Sequence, residues 1–222
     1  MAGYKAEQAD VFFRQLHDTL AAIPGVKEVS YALYSPMEGN NWGNGVYIEG
    51  QAPPPPGSNF NGASWDRVSA GYFDNIGTRI IAGRGITEQD TRATQNVAVV
   101  NETFAKHFFK NGDALGHHFG DLDQKYAGNF TIVGITEDTQ YWDPTSHIRP
   151  MFFLPAQQWA KYDDNSEKMF EDVSHLMLGS IQIQTVGYVP GLEAQIRRAL
   201  NQINPTLTMI DFQTFATQVK DQ

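Results

Sequence analysis

Three short apolar runs constrain this chain more than any other feature. They are Val97-Ala98-Val99-Val100, Phe130-Thr131-Ile132-Val133-Gly134-Ile135 and Met151-Phe152-Phe153-Leu154-Pro155. Each is too short for a buried helix and is rich in β-branched or aromatic residues, so each reads as a strand covered on both faces. The middle of the chain is therefore expected to form its own small sheet. Asn101, directly after the first run, can cap a helix from Glu102 to Phe109. A chain of 222 residues can bury about 70% of its unfolded surface without disulfides or metals, as one large domain or two small lobes.

The ends follow a different pattern. Ala9, Phe12, Phe13, Leu16, Leu20 and Ile23 recur at helical spacing and stop at Pro24-Gly25, after which Val26 to Tyr34 is rich in β-formers. Near the other end, Ile181 and Ile183 mark a strand and Pro190 suits the first turn of a helix. That helix has an apolar stripe of Leu192, Ile196, Ala199, Leu200 and Ile203, and Asn204-Pro205 ends it before a strand from Leu207 to Phe212. Helix, proline break and strand thus recur near both ends, which places both ends in one lobe. Between the two patterns, Gly39 to Gly45 reads as a loop, and Val46 to Glu49 and Ala63 to Ser69 as strands. Pro53 to Gly57 is a stiff connector. Tyr72 to Gly77 is a helical turn closed by glycine, Arg79 to Gly83 is extended, and Thr87 to Asp90 turns.

Charge removes several partners. With 16 Lys+Arg against 25 Asp+Glu the net charge is −9, and no basic run exceeds Arg197-Arg198, which argues against nucleic acid or an anionic bilayer surface. The absence of cysteine excludes disulfides, thiol catalysis and Cys-ligated zinc. Val173 to Leu192 lacks Asp, Glu, Lys and Arg and is long enough to span a bilayer. It contains His175, Gln182, Gln184, Thr185 and Pro190, and Ser180 to Gln184 alternates with period two, so it reads as strand and no segment is expected to cross a membrane. Met1 to Lys5 carries no apolar signal-peptide core, and the start looks like that of an excised fragment.

No catalytic or metal constellation emerges. His17, His107, His117, His118, His147 and His175 have no partner at ligand spacing, so no metal and no cofactor are expected. Asp121 and Asp123 begin like a calcium loop, but Lys125 and Tyr126 stand where an oxygen ligand and a glycine are required, leaving a solvated turn. No serine lies in a Gly-x-Ser-x-Gly elbow, and Gly39 to Gly45 has no lysine to cradle a phosphate. Asp163-Asp164 and Glu171-Asp172 read as solvated charge. Trp42, Tyr47, Phe60 and Trp65 either pack against the adjacent sheet or offer an apolar surface to a partner or sugar. The alternative function is therefore an envelope carbohydrate-binding module or enzyme built on the Trp42 to Trp65 region. Arg84 is expected to hold the turn from Ile86 to Asp90, through Asp90 or through loop carbonyls.

Ile23-Pro24-Gly25-Val26, Val68-Ser69-Ala70-Gly71-Tyr72-Phe73, Gly77, Ile80-Ile81-Ala82-Gly83-Arg84 and Asp90 form a series of blocks. Val97-Ala98-Val99-Val100-Asn101-Glu102, Gly112-Asp113-Ala114-Leu115-Gly116 and Ile132-Val133-Gly134-Ile135 continue it. In order and spacing these blocks resemble the extracytoplasmic domain of MacB-like ABC transporter permeases. The resemblance implies an α+β fold of two lobes, a porter-like βαβ lobe from residues 1–70 plus 171–222 and an inserted, membrane-distal mixed lobe from 71–170. It implies a non-catalytic periplasmic domain at the bacterial inner membrane, coupling cytoplasmic ATP hydrolysis to efflux or envelope work. The implied partners are the transmembrane helices of the same permease and a periplasmic adaptor or lipoprotein, with a dimer in the full transporter.

Overall fold

The computed structural model describes residues 6–53, 55, 61–142, 144–160, 162 and 179–221. The elements run α1 (Ala6–Ala21), β1 (Val26–Ala32), β2 (Gly43–Ile48), β3 (Gly62–Val68), α2 (Tyr72–Ile76), β4 (Ile80–Gly83), β5 (Val97–Asn101) and α3 (Glu102–Phe108). They continue through β6 (His118–Asp121), β7 (Phe130–Thr136), β8 (Met151–Pro155), β9 (Ser180–Thr185), α4 (Leu192–Ile203) and α5 (Phe215–Lys220). Among the described residues, the nine strands join one mixed sheet.

Six of the strands close on themselves in the order β2-β6-β7-β5-β8-β3, with β3 returning to β2. The β5–β7 and β3–β8 ladders are parallel, and the other ladders of the ring are antiparallel. Closure follows from period-two alternation. Val46 and Ile48, Ala63 and Trp65, Ala98 and Val100, Phe130 and Ile132, and Phe152 and Leu154 all point into one core, which Phe104 and Ala105 of α3 and Phe109 just beyond it complete. The intervening Val68, Val99 and Phe153 face a second core shared with Tyr72, Phe73, Ile86 and Tyr141. β3, β5 and β8 are thus buried on both faces, which is why β5 and β8 read as unbroken apolar runs, whereas β3 carries Asp66 and Arg67 in its buried stretch. Asn101 caps α3 as expected, its Oδ1 accepting from the Phe104 N–H at 2.8 Å.

A third core lies between the antiparallel pair β1–β9 and the helices α1 and α4. α1 supplies Phe12, Phe13, Leu16 and Leu20, α4 supplies Ile196, Ala199 and Leu200, and β1 supplies Val29 and Tyr31. Each large side chain buried there contributes about 1.5–3 kcal/mol, more than the intrinsic preference of either helix provides. None of the described helices is long and apolar enough to cross a membrane.

The structure departs from the sequence reading at several points. β2 begins at Gly43 rather than Val46, because the ladder Gly43↔Ser64 to Gly45↔Gly62 recruits residues whose local preference is for a loop. Leu207 to Phe212, expected as a strand, has no ladder partner. Leu207 and Met209 pack against the third core, whereas Ile210 is 98% exposed. Among the described residues this segment joins no ladder, and its apolar alternation is met by packing. Pro190 precedes the helix instead of opening it, and Gly191 takes the N-cap with φ 64°. Asp121 is not a solvated turn residue but lies buried at the end of β6. β2 and β3, grouped with the chain ends in the expected division at residue 70, have their ladders with β6 and β8, and β3 meets β1 only at Ala32↔Val68.

Candidate functional site

The residues considered for chemistry are dispersed. His118 Nδ1 lies 3.0 Å from Glu49 Oε2, and His17 pairs with Asp18 at 3.2 Å. Among the described residues no three His, Asp or Glu side chains gather as a ligand set. Asp163, Asp164, Glu171, Asp172, His175 and Phe60 lie outside the described residues. Trp65 is 3% exposed and stacked on Phe152 inside the ring, while Trp42 is 45% exposed and meets Trp65 edge-on at 6.3 Å. The aromatic cluster is therefore divided between core and surface, and Trp65 is unavailable to a sugar.

The polar groups that do converge lie where β1 leaves its pairing with β9 and meets the ring. The ladder contact there is brief, so side chains supplement it. Tyr31 N–H donates to Ser69 Oγ at 3.0 Å, Ser69 N–H returns to the Tyr31 carbonyl at 2.9 Å, and Leu33 N–H donates to the Arg67 carbonyl at 2.9 Å. Asn75, at the end of α2, donates to Ser30 Oγ at 2.7 Å and to the Gln182 carbonyl at 2.9 Å, clasping both β1 and β9. At the centre is Asp66, fully buried on β3. Its Oδ1 accepts from Leu33 N–H at 3.1 Å and Arg67 N–H at 2.7 Å, and its Oδ2 accepts from the Tyr141 hydroxyl. Tyr141 oxygen lies 2.6 Å from that of Tyr72, and Tyr34 donates to the Trp65 carbonyl at 2.8 Å. Burial pushes the Asp66 carboxyl well above the usual range, against the pull of the Tyr141 hydroxyl and the backbone N–H groups of Arg67, Leu33 and Tyr34. Burial also raises Tyr34, Tyr72 and Tyr141, all three with the Asp66 charge as the next cause, so these phenols stay protonated. No motif pointed to this cluster. The available signal was an Asp-Arg pair between Trp65 and Val68, inside a strand whose neighbours are apolar, where a charge persists only if it is held.

A second polar cluster fixes the turn after β4. Arg84 Nη1 and Nη2 lie 2.7 and 2.8 Å from the two Asp90 oxygens, and Nη1 also donates to the Gly85 carbonyl at 3.0 Å. Thr87 adds its N–H at 2.8 Å and its hydroxyl at 3.1 Å. Burial draws the Asp90 carboxyl upward, but the bonds from Arg84 and Thr87, with the Arg84 charge, outweigh it and hold Asp90 below its ordinary value. Arg84 thus uses both acceptor classes expected of it.

The joint and the turn are hydrogen-bonded arrangements internal to the fold. A family model described as the MacB-like periplasmic core domain matches residues 3–207. The uncharacterized ABC transporter permease YvrN of Bacillus subtilis (strain 168) is 27% identical over 95 residues, covering 41% of this chain and 22% of that protein. The chain therefore spans under a quarter of the length of this relative. The fold is similar to the periplasmic region of MacB from Actinobacillus actinomycetemcomitans, with a TM-score of 0.55 at 16% identity over 86% of this chain and 73% of the other. It is also similar to the extracellular domain of the noncanonic ABC-type transporter YknZ from Gram-positive bacteria, with a TM-score of 0.55 at 12% identity over 87% and 84%. The chain belongs to the MacB-like periplasmic core domains of ABC transporter permeases, on the periplasmic side of the inner membrane.

Proposed function

We propose that this domain is non-catalytic and couples cytoplasmic ATP hydrolysis to efflux or other envelope work. It does so by passing movements of the permease's own transmembrane helices to a periplasmic adaptor or lipoprotein, within a dimeric transporter. The observation that carries this reading is the joint. A helix-bearing pair of strands and a closed ring share one ladder pair, Ala32↔Val68, reinforced by the Ser69, Asp66 and Asn75 bonds. A closed ring resists bending because every strand has two neighbours, so displacement of β1 is delivered to it as a whole. In this reading there are two lobes, the porter-like one from residues 1–70 plus 171–222 and the membrane-distal one from 71–170, with β2 and β3 crossing over to complete the ring. The buried Asp66 and Asp90 carboxylates are engaged in the joint and in the Arg84 turn.

The test is made in the full permease. Ser69→Ala combined with Asn75→Ala removes the Ser69 and Asn75 side-chain bonds of the joint, leaves the Asp66 bond in place and spares all three cores. Basal ATP hydrolysis should persist and the coupled output, transport or partner-stimulated hydrolysis, should fall severalfold. Full coupling in a folded double variant overturns the reading.

A further inference from the structure

Among the described residues, Asp66 is surrounded by donors and pairs with no cation. Its three closest partners are two backbone N–H groups on Oδ1 and the Tyr141 hydroxyl on Oδ2. From each packed element the groups that face it are neutral. The residues after β1 bring Tyr34, α2 brings Tyr72, the segment before β8 brings Tyr141, and β8 brings Met151 and Phe153. Arg67 follows on the same strand, and alternation turns it to the other face, where Nη1 donates to the carbonyls of Pro155 and Gln158. Among the described residues, no Lys, Arg or His pairs with the Asp66 carboxylate.

We propose that Asp66 is a proton-binding site that makes the joint responsive to the pH of the periplasm. The bonding pattern accepts a proton without moving a heavy atom. In the ionised state the donors run Tyr72 to Tyr141 to Asp66. A proton taken from water onto Oδ2 reverses the chain, so that Asp66 donates to Tyr141 and Tyr141 to Tyr72, whose own hydrogen turns away. Oδ1 keeps both backbone N–H groups, now as a carbonyl rather than a carboxylate oxygen. Those bonds lose charge assistance, which roughly halves their strength. The Leu33 N–H, shared between Asp66 Oδ1 at 3.1 Å and the Arg67 carbonyl at 2.9 Å, is one of the few ties from the end of β1 to β3, so the clamp loses its Asp66 half as the buried charge is discharged and keeps the Arg67 half.

The sign follows from burial. Because the folded carboxyl is raised above its unfolded value, the folded state binds more protons between the two values. This group's contribution to stability therefore grows as pH falls through that window, and is lost as pH rises through the folded value. Acid strengthens the core while weakening the acceptor at the joint.

This inference extends the reading of the joint as the transmitting element, but its test stands without it. In a chain carrying carbon-13 at the aspartate carboxyls, nuclear magnetic resonance follows the Asp66 carbon and the amide protons of Leu33 and Arg67 as pH is lowered. The Asp66 carbon should titrate well above the ordinary aspartate range, and both amide protons should move upfield with the same midpoint. In Asp66→Asn the two amides should stay flat. In Tyr141→Phe, which removes a donor that favours the carboxylate, the Asp66 midpoint should rise further. An Asp66 carbon that titrates at the ordinary value or below it, or not at all before the protein unfolds, overturns the proposal. So do amides that ignore the midpoint. Should Asp66→Asn fail to fold, the unsubstituted chain and Tyr141→Phe decide the matter alone.

Discussion

Replacing Arg84 by alanine tests how the fold holds its most elaborate turn. The substitution removes two bonds to Asp90, at 2.7 and 2.8 Å, and one to the Gly85 carbonyl. Asp90 is left with Thr87 as donor and with only 5% of its side chain exposed, whereas 45% of the Arg84 side chain meets water. Breaking a fully buried pair costs about 3–5 kcal/mol, and an exposed pair is worth about 0–1 kcal/mol. One partner here is buried and the other half in solvent, so the loss should be about 1.5 kcal/mol after discounting for screening. For a chain of this size that is a fall in Tm of about 3–6 °C. Its pH dependence identifies the cause. Asp90 is held below its ordinary value, so the folded form contributes stability that is present above the unfolded value of about 3.9 and lost as pH falls through the folded one. The gap between the parent and Arg84→Ala should therefore close in strong acid, and Arg84→Lys, with charge but no fork, should recover part of it. Thermal melts over a pH series measure all of this. A variant that melts within about 1 °C of the parent at neutral pH, or one whose deficit is the same in acid, refutes the reasoning.

Four further outcomes are expected. In Gly134→Ala the new methyl would lie 1.9 Å from the Arg84 carbonyl oxygen, so β4 must shift and chemical denaturation should show a loss of about 2–3 kcal/mol. Gly39→Ala, with φ +79° and open space, should lose only about 1 kcal/mol from backbone strain. Asn101→Ala removes the acceptor for the Phe104 and Met151 N–H groups and the donor to the Arg149 carbonyl, and should cost about 2–4 kcal/mol by the same assay, with Asn101→Asp retaining much of it. If two lobes are joined end to end, solution scattering should give a radius of gyration above the roughly 17 Å of one compact globule of this length.

What the sequence disclosed depended on whether one segment carried its own instruction. α1 did, because Phe12, Phe13, Leu16 and Leu20 share a face and Pro24-Gly25 stops it. β5 and β8 did, because burial on both faces leaves a continuous apolar signature, and so did β7, whose apolar run is half-buried at Thr131 and Val133. β6 did not, since His118-Phe119-Gly120-Asp121 is four residues long and contains a glycine. That glycine is required by the backbone of Tyr126, whose carbonyl oxygen would lie 1.8 Å from a Cβ. Gly43 to Gly45 likewise became strand only because Gly62 to Ser64 lies beside it. The joint was the least legible part. Asp66, Tyr72 and Tyr141 come from three separate segments, and no spacing rule relates a hydroxyl to a carboxylate 75 positions away.

The adjacent charges of β3 bear on specificity as much as on stability. Asp66 faces the second core and Arg67 the opposite side, and each is met by groups fixed on other elements, Leu33 and Tyr141 for the first, Pro155 and Gln158 for the second. A slip of β3 by one residue would exchange these faces, placing a guanidinium among Tyr72, Tyr141 and Phe153 and a carboxylate against backbone carbonyls. An apolar β3 would tolerate such a slip, because Trp65 and Val68 would merely trade one hydrophobic core for another. Two buried charges make the error expensive on both faces at once, for each would lose its partners and keep its desolvation cost. β3 is also the strand through which β1 meets the ring, so the register that these charges fix is the register of the joint. The groups that hold the two parts of the sheet in alignment are thus the same ones that carry the site of proton binding.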